Sequence, residues 1–250
     1  MDLLEPNLIC FVLVLTRVGA FFFAAPIFSW QSIPTTIKLT LLIFVSLFLA
    51  GILPNPGIKH AHSAIEVGLL IGAEAIYGLA LGLVAACLFA AVKVAAHICD
   101  QEMGLSIAQI LDPMTEETSQ PLEILLEMIC ILLFLAADGH HVLLAGLSRS
   151  YEAFPIGSIP SIDKLAAGIA AAGSTMLVLG LRMAAPILAA FLLLMVVLAF
   201  LARVAPEADI LFLSLPLKVG MGLVMVAIFL PFLGNFITEF TQWLNKLIPI

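Results

Sequence analysis

Ionisable side chains interrupt several of the most apolar stretches of this sequence. Glu74 lies inside one stretch, and Asp138, His140 and His141 lie close together in the next. A charge at the centre of a bilayer is costly unless it is paired or faces water, so such residues often mark proton or ion pathways. One interpretation is therefore a proton or ion path built from these four residues.

A second interpretation gives the same charges a structural role. Arg17 lies in the middle of the first apolar stretch and Arg182 lies in the fifth, so both could neutralise carboxylates within a buried interface between helices. Such pairing requires no transport. On either interpretation, the predicted buried charges are Arg17, Glu74, Asp138 and Arg182.

Cysteine and histidine spacing gives no indication of a metal site or of catalysis. Cys10, Cys87, Cys99 and Cys130 are scattered, without a CxxC pair or a zinc-like spacing with the five histidines. The sequence also lacks an HExxH motif, a Ser/His pairing and paired aspartates on facing helices. We predict no metal, no cofactor and no enzymatic activity. The three candidate function classes are an intramembrane enzyme, a transporter and a structural subunit.

Composition identifies the setting of these charges. Of the 250 residues, 63% are hydrophobic and 11% are charged, whereas roughly a quarter of the residues in a soluble domain are charged. The chain is therefore predicted to be an integral membrane protein in contact with lipid. The net charge of −7 gives no electrostatic reason to expect nucleic acid as a partner.

The apolar stretches predict an all-α fold but not a plain bundle of six spans. The second stretch would reach only about 23 Å as a helix and the third about 50 Å, against a hydrocarbon core of about 30 Å. Helices that pack mainly against protein rather than lipid would also suit these lengths. The six stretches are Leu8–Phe28, Leu39–Leu53, Ala64–Ala96, Leu122–Leu147, Met176–Leu201 and Ile210–Leu233.

Two further patterns concern packing and connection. Gly68-xxx-Gly72 and Gly78-xxx-Gly82 bring small residues to one helix face, which predicts close approach of a neighbouring helix. Between the third and fourth stretches, apolar residues from Leu105 to Leu111 are mixed with five carboxylates. This composition favours a loop that folds into an internal cavity over a solvated connector.

These residues together resemble the FliR family, the flagellar member of the type III secretion export apparatus. The similarity extends over almost the whole chain, in order and spacing. It rests on Arg17 followed by Ala25-Pro26, Ile33-Pro34, Asp100-Gln-Glu-Met-Gly104, Asp112-Pro113, Gly139-His140, Pro155-Ile-Gly157, Arg182 through Pro186, Leu201-Ala-Arg203-Val-Ala-Pro206 and Leu215-Pro216-Leu217. The sequence departs from the family at Glu207 and Asp209, where the family usually has amides.

The resemblance implies a structural and gating role in the bacterial inner membrane, at the flagellar basal body. FliR-like subunits assemble with FliP-like and FliQ-like subunits into a closed helical spiral, through which unfolded flagellar subunits are exported. FlhA- and FlhB-like components are further implied partners. By similarity, residues 1–175 form a FliP-like part, and residues 176–250 form a FliQ-like hairpin with an amphipathic C-terminal helix.

The resemblance also implies that residues 103–119 form a loop that plugs the channel. Soft apolar side chains can close such a seal and still yield to a passing polypeptide, and the glycine and proline allow rearrangement. The predicted plug residues are Met103, Gly104, Leu105, Ile107, Ile110, Leu111, Asp112, Pro113 and Met114.

Two alternatives stay open. The segment Phe236–Ile250 has helical spacing of its apolar residues and predicts either a helix at the membrane interface or a docking surface. The alternative function is a secondary transporter with a carboxylate and histidine proton relay. That function predicts transport by the isolated chain and an internal repeat, and we find no convincing repeat.

Overall fold

The computed structural model describes residues 4–30, 33–53, 64–105, 120–158, 161–205 and 210–247, which form helices joined by turns. Within these residues there is no strand, and the all-α prediction is confirmed. The helices are α1 (Leu4–Ala24), α2 (Pro26–Ser29), α3 (Thr35–Ile52), α4 (Ala64–Met103), α5 (Pro121–Ala136), α6 (Gly139–Ala153), α7 (Ile162–Val204) and α8 (Ile210–Leu247).

Four of these helices, α3, α4, α7 and α8, are long and apolar enough to cross a membrane. The apolar part of α1 is shorter. With 40 residues, α4 is about 60 Å long, which exceeds the hydrocarbon core even more than its apolar stretch predicted. The chain is therefore an integral membrane helical protein with helices of unequal length.

The fourth apolar stretch is two helices rather than one. Ala137 ends α5, and Asp138 adopts the left-handed conformation, with φ 55°. Aspartate tolerates this conformation better than most residues, and a left-handed residue ends a helix. Gly139 then begins α6. The sequence Asp138-Gly139 therefore marks a corner between two short helices.

Prolines both start and interrupt the helices. Pro26 and Pro121 occupy the first turns of α2 and α5, where a missing N–H costs nothing. Pro186 lies inside α7, and Pro216 and Pro231 lie inside α8. Membrane helices tolerate such prolines because neighbouring groups satisfy the freed carbonyls.

The chain divides into two compact units. The first comprises residues 1–88, 138–173 and 241–250, and the second comprises residues 89–137 and 174–240. In the first unit, α1 packs against α3 and buries Leu13, Val14 and Val18 completely. In the second unit, Phe89 of α4 and Phe134 of α5 meet edge to face, with ring centroids 5.6 Å apart.

Candidate functional site

A buried ion pair lies in the first unit, between α1 and α4. Arg17 Nε donates a hydrogen bond to Glu74 Oε2, and both side chains are completely buried. Two charges removed from water in this way are stable only when their remaining donors and acceptors are also satisfied. The surrounding groups therefore decide whether the pair holds its helices together.

The guanidinium of Arg17 also binds the C-terminal end of α6. Its Nη1 and Nη2 donate to the carbonyl oxygen of Phe154 at 3.0 and 3.1 Å, and Nη1 lies 3.4 Å from the carbonyl oxygen of Ser150. The last carbonyls of a helix lack partners within the helix and carry partial negative charge. A cation at this position satisfies them and stabilises the helix end.

The second carboxylate oxygen of Glu74 and the face of the guanidinium are satisfied as well. Glu74 Oε1 accepts a hydrogen bond of 2.9 Å from the N–H of Gly157, whose φ of 80° suits glycine. The rings of Tyr77 and Tyr151 lie 4.8 and 4.2 Å from the guanidinium carbon, in cation–π geometry. We call these residues, Arg17, Glu74, Tyr77, Ser150, Tyr151, Phe154 and Gly157, the polar hub.

The other two predicted buried charges lie elsewhere and are not buried in the chain. Asp138 is exposed, because it lies at the corner between α5 and α6 rather than inside a span, and its carboxylate is 3.3 Å from His141 Nδ1. Arg182 is exposed on α7, where it lines a cavity of about 430 Å³ between α7 and α8. Of the four predicted buried charges, Arg17 and Glu74 are buried and pair with each other, as the structural interpretation of the charges predicts.

The two glycine motifs of α4 differ in their surroundings. A Cβ on Gly78 would overlap the carbonyl oxygen of Arg17, and a Cβ on Gly82 would overlap Ala24 and lie 2.9 Å from the carbonyl oxygen of Phe21. These glycines allow α1 and α4 to approach closely. In contrast, a Cβ on Gly68 or Gly72 would meet no atom of the described residues within 4 Å.

In the second unit, a buried carboxylate of α4 caps α5. Asp100 Oδ2 accepts a 3.0 Å hydrogen bond from the backbone N–H of Glu123, in the first turn of α5. Within the described residues, Gln120 at the N-cap makes no side-chain cap bond of its own. Asp100 therefore supplies from another helix the acceptor that a capping residue normally provides.

Further polar contacts connect the same two helices. Lys93 and Glu127 form an ion pair of 2.8 Å, while His97 hydrogen-bonds Gln120 and lies 3.7 Å from a carboxylate oxygen of Glu123. We call Lys93, His97, Asp100, Gln120, Glu123 and Glu127 the α4–α5 clasp. It joins the residues directly before and after the predicted plug loop.

The first plug residues are placed by the end of α4. Met103 is buried, and Gly104 and Leu105 form the turn that follows it, with Gly104 at φ 77°. A Cβ on Gly222 of α8 would overlap the side chain of Met103, so this glycine makes room for the methionine. The predicted plug residues Ile107, Ile110, Leu111, Asp112, Pro113 and Met114 lie outside the described residues.

Sequence reasoning missed two of these features. The capping role of Asp100 and the space at Gly222 both depend on a helix distant in sequence, so no local pattern identifies them. Asp100 did stand within the motif Asp100-Gln-Glu-Met-Gly104, which carried the family resemblance.

The described residues leave large apolar surfaces uncovered on three helices. Within the most apolar window of each helix, only 11% of the residues of α3, 22% of α7 and 11% of α8 are buried in the chain, against 56% for α4. Lipid or other proteins must cover these surfaces, because exposed apolar area of this extent is unfavourable in water. The described residues also place three potential metal ligands, Asp138, His140 and His141, close together.

Comparison with known proteins assigns the family. The family described as "Bacterial export proteins, family 1" matches residues 8–243. The chain belongs to this family. It is 31% identical to the flagellar biosynthetic protein FliR of Escherichia coli (strain K12) over 237 residues, which cover 94% of this chain and 90% of that protein.

Two further relatives show the range of the family. The chain is 29% identical to FliR of Bacillus subtilis (strain 168) over 221 residues, or 87% of this chain and 85% of that protein. It is 28% identical to the Yop proteins translocation protein T of Yersinia pestis over 231 residues, which cover 91% of this chain and 88% of that protein. The predicted FliR resemblance is confirmed, and the chain is a membrane component of the type III export apparatus.

Proposed function

We propose that the chain is the FliR-type subunit of a flagellar export gate in the bacterial inner membrane. With FliP-like and FliQ-like subunits it forms the channel through which unfolded flagellar subunits leave the cytoplasm. The observation that carries the proposal is the similarity to FliR of Escherichia coli over 94% of the chain. In this role the chain helps to form the channel and to open and close it, and it performs no covalent chemistry.

The uncovered apolar helices support an assembled state. Leu47 and Phe48 of α3 are 63% and 61% exposed, and Phe232 of α8 is 60% exposed. Partner helices could cover such side chains by close van der Waals packing, because apolar side chains and lipid tails are similar in polarity. Lipid could cover the same surfaces, so the experiment has to distinguish coverage by partner proteins from coverage by lipid.

Within this proposal, residues 103–119 plug the channel. The α4–α5 clasp fastens the ends of this segment, since Asp100 binds the first turn of α5 and His97 binds Gln120. Met103 is held beside Gly222, and the left-handed Gly104 turns the chain at the end of α4. Fixed ends allow the loop between them to move without loss of the helices.

The division into a FliP-like part, residues 1–175, and a FliQ-like hairpin, residues 176–250, is a further part of the proposal. Its support is that α7 and α8 form two long apolar helices, the arrangement that a hairpin requires. The boundary falls inside α7 rather than in a linker, so the two parts share one continuous helix.

Assembly is tested by co-expressing the chain with FliP-like and FliQ-like proteins and weighing the detergent-solubilised complex by native mass spectrometry. We expect one copy of this chain in a complex that contains both partners. Lipid-only coverage would instead give the chain alone with bound lipid. A chain that purifies as a stable monomer and transports ions by itself would contradict the proposal and favour the transporter.

The plug is tested by deleting residues 104–119 in the assembled complex. We expect the complex to form and the membrane to leak small ions, measured as conductance in planar bilayers. A matched variant replaces residues 106–119 with a Gly/Ser segment of equal length, which keeps the connection and removes the apolar seal. Unchanged conductance in both variants would show that this loop is not the seal.

A further inference from the structure

We propose that Asp138, His140 and His141 bind one divalent transition-metal cation of the zinc class at the corner between α5 and α6. Two imidazoles and one carboxylate, with one position left to water, form a ligand set that such cations accept. The three residues lie within four positions of sequence, and the corner brings their donor atoms together. This inference does not depend on the proposed function.

The distances fit a metal centre. One donor atom from each of the three residues lies within 4.8 Å of the other two, and Asp138 Oδ1 is 3.3 Å from His141 Nδ1. In a tetrahedral site with bonds of about 2.0–2.1 Å, neighbouring ligand atoms are about 3.3–3.4 Å apart. One edge of the site is thus already at the required length. The other two edges involve His140, and the exposed side chains of Asp138 and His141 can move toward it.

The backbone at Asp138 favours a ligand role. Among the described residues, Asp138 is the one non-glycine residue with positive φ. Asp138 occupies the N-cap of α6, yet within the described structure its side chain makes no cap hydrogen bond. The carboxylate is directed to His141 rather than to the free N–H groups of the helix it precedes.

The histidines are available for the same purpose. His140 Nδ1 is buried and has no hydrogen-bond partner within the described residues, which leaves this nitrogen uncommitted. The rings of His140 and His141 lie against each other, with centroids 4.1 Å apart and planes inclined by 36°. The side chains of Asp138 and His141 are 77% and 69% exposed, so a cation can reach them from solvent.

A bound cation would join Asp138, at the N-cap of α6, to two histidines in the first turn of the same helix. Coordination of Asp138, His140 and His141 would therefore hold the left-handed residue and the start of α6 together. A cation that binds the folded chain and not the unfolded chain raises the stability of the folded state. We therefore expect zinc to raise the thermal midpoint of the full chain and to do so by means of these three residues.

The experiment uses the full-length chain with an affinity tag that contains no histidine, purified in detergent and treated with a chelator. Co²⁺ is titrated as a spectroscopic probe, and its visible absorption reports the coordination geometry. Zn²⁺ is then added in competition, and the number of metal ions bound per chain is measured by inductively coupled plasma mass spectrometry. We expect one metal per chain, with low-symmetry Co²⁺ bands that Zn²⁺ displaces.

Variants locate the site. His140→Ala, His141→Ala and Asp138→Asn should each weaken Co²⁺ binding at least tenfold, whereas the control His60→Ala, elsewhere in the sequence, should not. Circular dichroism without metal checks that each variant folds. If a histidine variant fails to fold, Asp138→Asn still tests the site, because Asp138 is exposed. Binding that is absent at 1 mM metal, or equal in all variants, would overturn the inference and leave an Asp138–His141 ion pair only.

Discussion

The polar hub and the α4–α5 clasp both join helices through charged side chains, yet they differ in burial. Arg17 and Glu74 in the hub are completely buried, and backbone groups or rings satisfy their remaining polar atoms and faces. In the clasp, Lys93 and His97 are each 42% exposed. The hub therefore holds α1, α4 and α6 in one arrangement. The clasp combines the buried cap of Asp100 with exposed pairs that contribute little to stability.

The energetic scale of the two regions follows from this difference. Removal of one partner from a buried ion pair leaves an uncompensated charge and costs about 3–5 kcal/mol. An exposed pair contributes about 0–1 kcal/mol, because water screens it.

The largest expected effect is at Glu74. Glu74→Gln removes the negative charge and leaves the Arg17 cation buried, so we expect a loss of about 3–5 kcal/mol. The measurement is thermal unfolding of the full chain in detergent, followed by recovery of the co-expressed complex. Both the thermal midpoint and the yield of the complex should fall sharply.

Glu66 provides the control for this change, because it lies on the same helix and is exposed. Glu66→Gln should change stability by less than about 0.5 kcal/mol. The double variant Arg17→Met with Glu74→Met should recover part of the loss, since no charge stays buried. Equal effects of Glu66→Gln and Glu74→Gln would show that the hub is not the rigid element.

The second test concerns the close approach of α1 and α4. Gly78→Ala places a Cβ against the backbone oxygen of Arg17, so α1 must shift and disturb the hub. Overpacking of this kind costs about 1–3 kcal/mol. The thermal midpoint of the full chain in detergent should fall accordingly.

Gly72→Ala is the matched substitution, with nothing within 4 Å among the described atoms. It should be neutral or stabilise α4 by up to about 1 kcal/mol, because alanine favours helix over glycine. If both alanines have the same effect, the glycine spacing matters for the helix itself and not for its packing.

These regions also show which features a sequence can predict. Arg17 and Glu74 were identifiable because a charge in an apolar stretch needs a partner. The polar residues that begin at Asp138 interrupt the fourth stretch in the sequence too. The structure adds that Asp138 is left-handed and exposed at a break between two helices, so its carboxylate is not buried in the chain. The spacing of the two glycine pairs is the same, yet Gly78 and Gly82 lie against α1. A Cβ on Gly68 or Gly72 would meet none of the described atoms within 4 Å.

The capping role of Asp100 escaped prediction for a different reason. A cap is normally sought within the three or four residues around a helix start. Here the acceptor is 23 positions away, on the preceding long helix. Only the packing of α4 on α5 brings the carboxylate to the first turn of α5, so its role depends on tertiary structure.

The smallest expected effects are in the clasp, where substitutions of Asp100 and Lys93 should differ in their cost to stability. Asp100 is buried and caps α5, so Asp100→Ala should cost about 1–2 kcal/mol, typical of a lost cap. Lys93→Ala removes one half-exposed ion pair and should cost less than about 1 kcal/mol. Thermal unfolding of the full chain in detergent measures both losses.

The clasp variants also test the gate. In the assembled complex, Asp100→Ala removes the contact between α4 and the first turn of α5. If the proposed plug depends on that contact, resting ion conductance should rise, while Lys93→Ala should leave it near the wild-type value. Both variants keep the hub intact, so assembly should persist in each. If Asp100→Ala lowers stability without raising conductance, the clasp holds α5 in place but does not fasten the seal, and the contrast with the hub is one of strength alone.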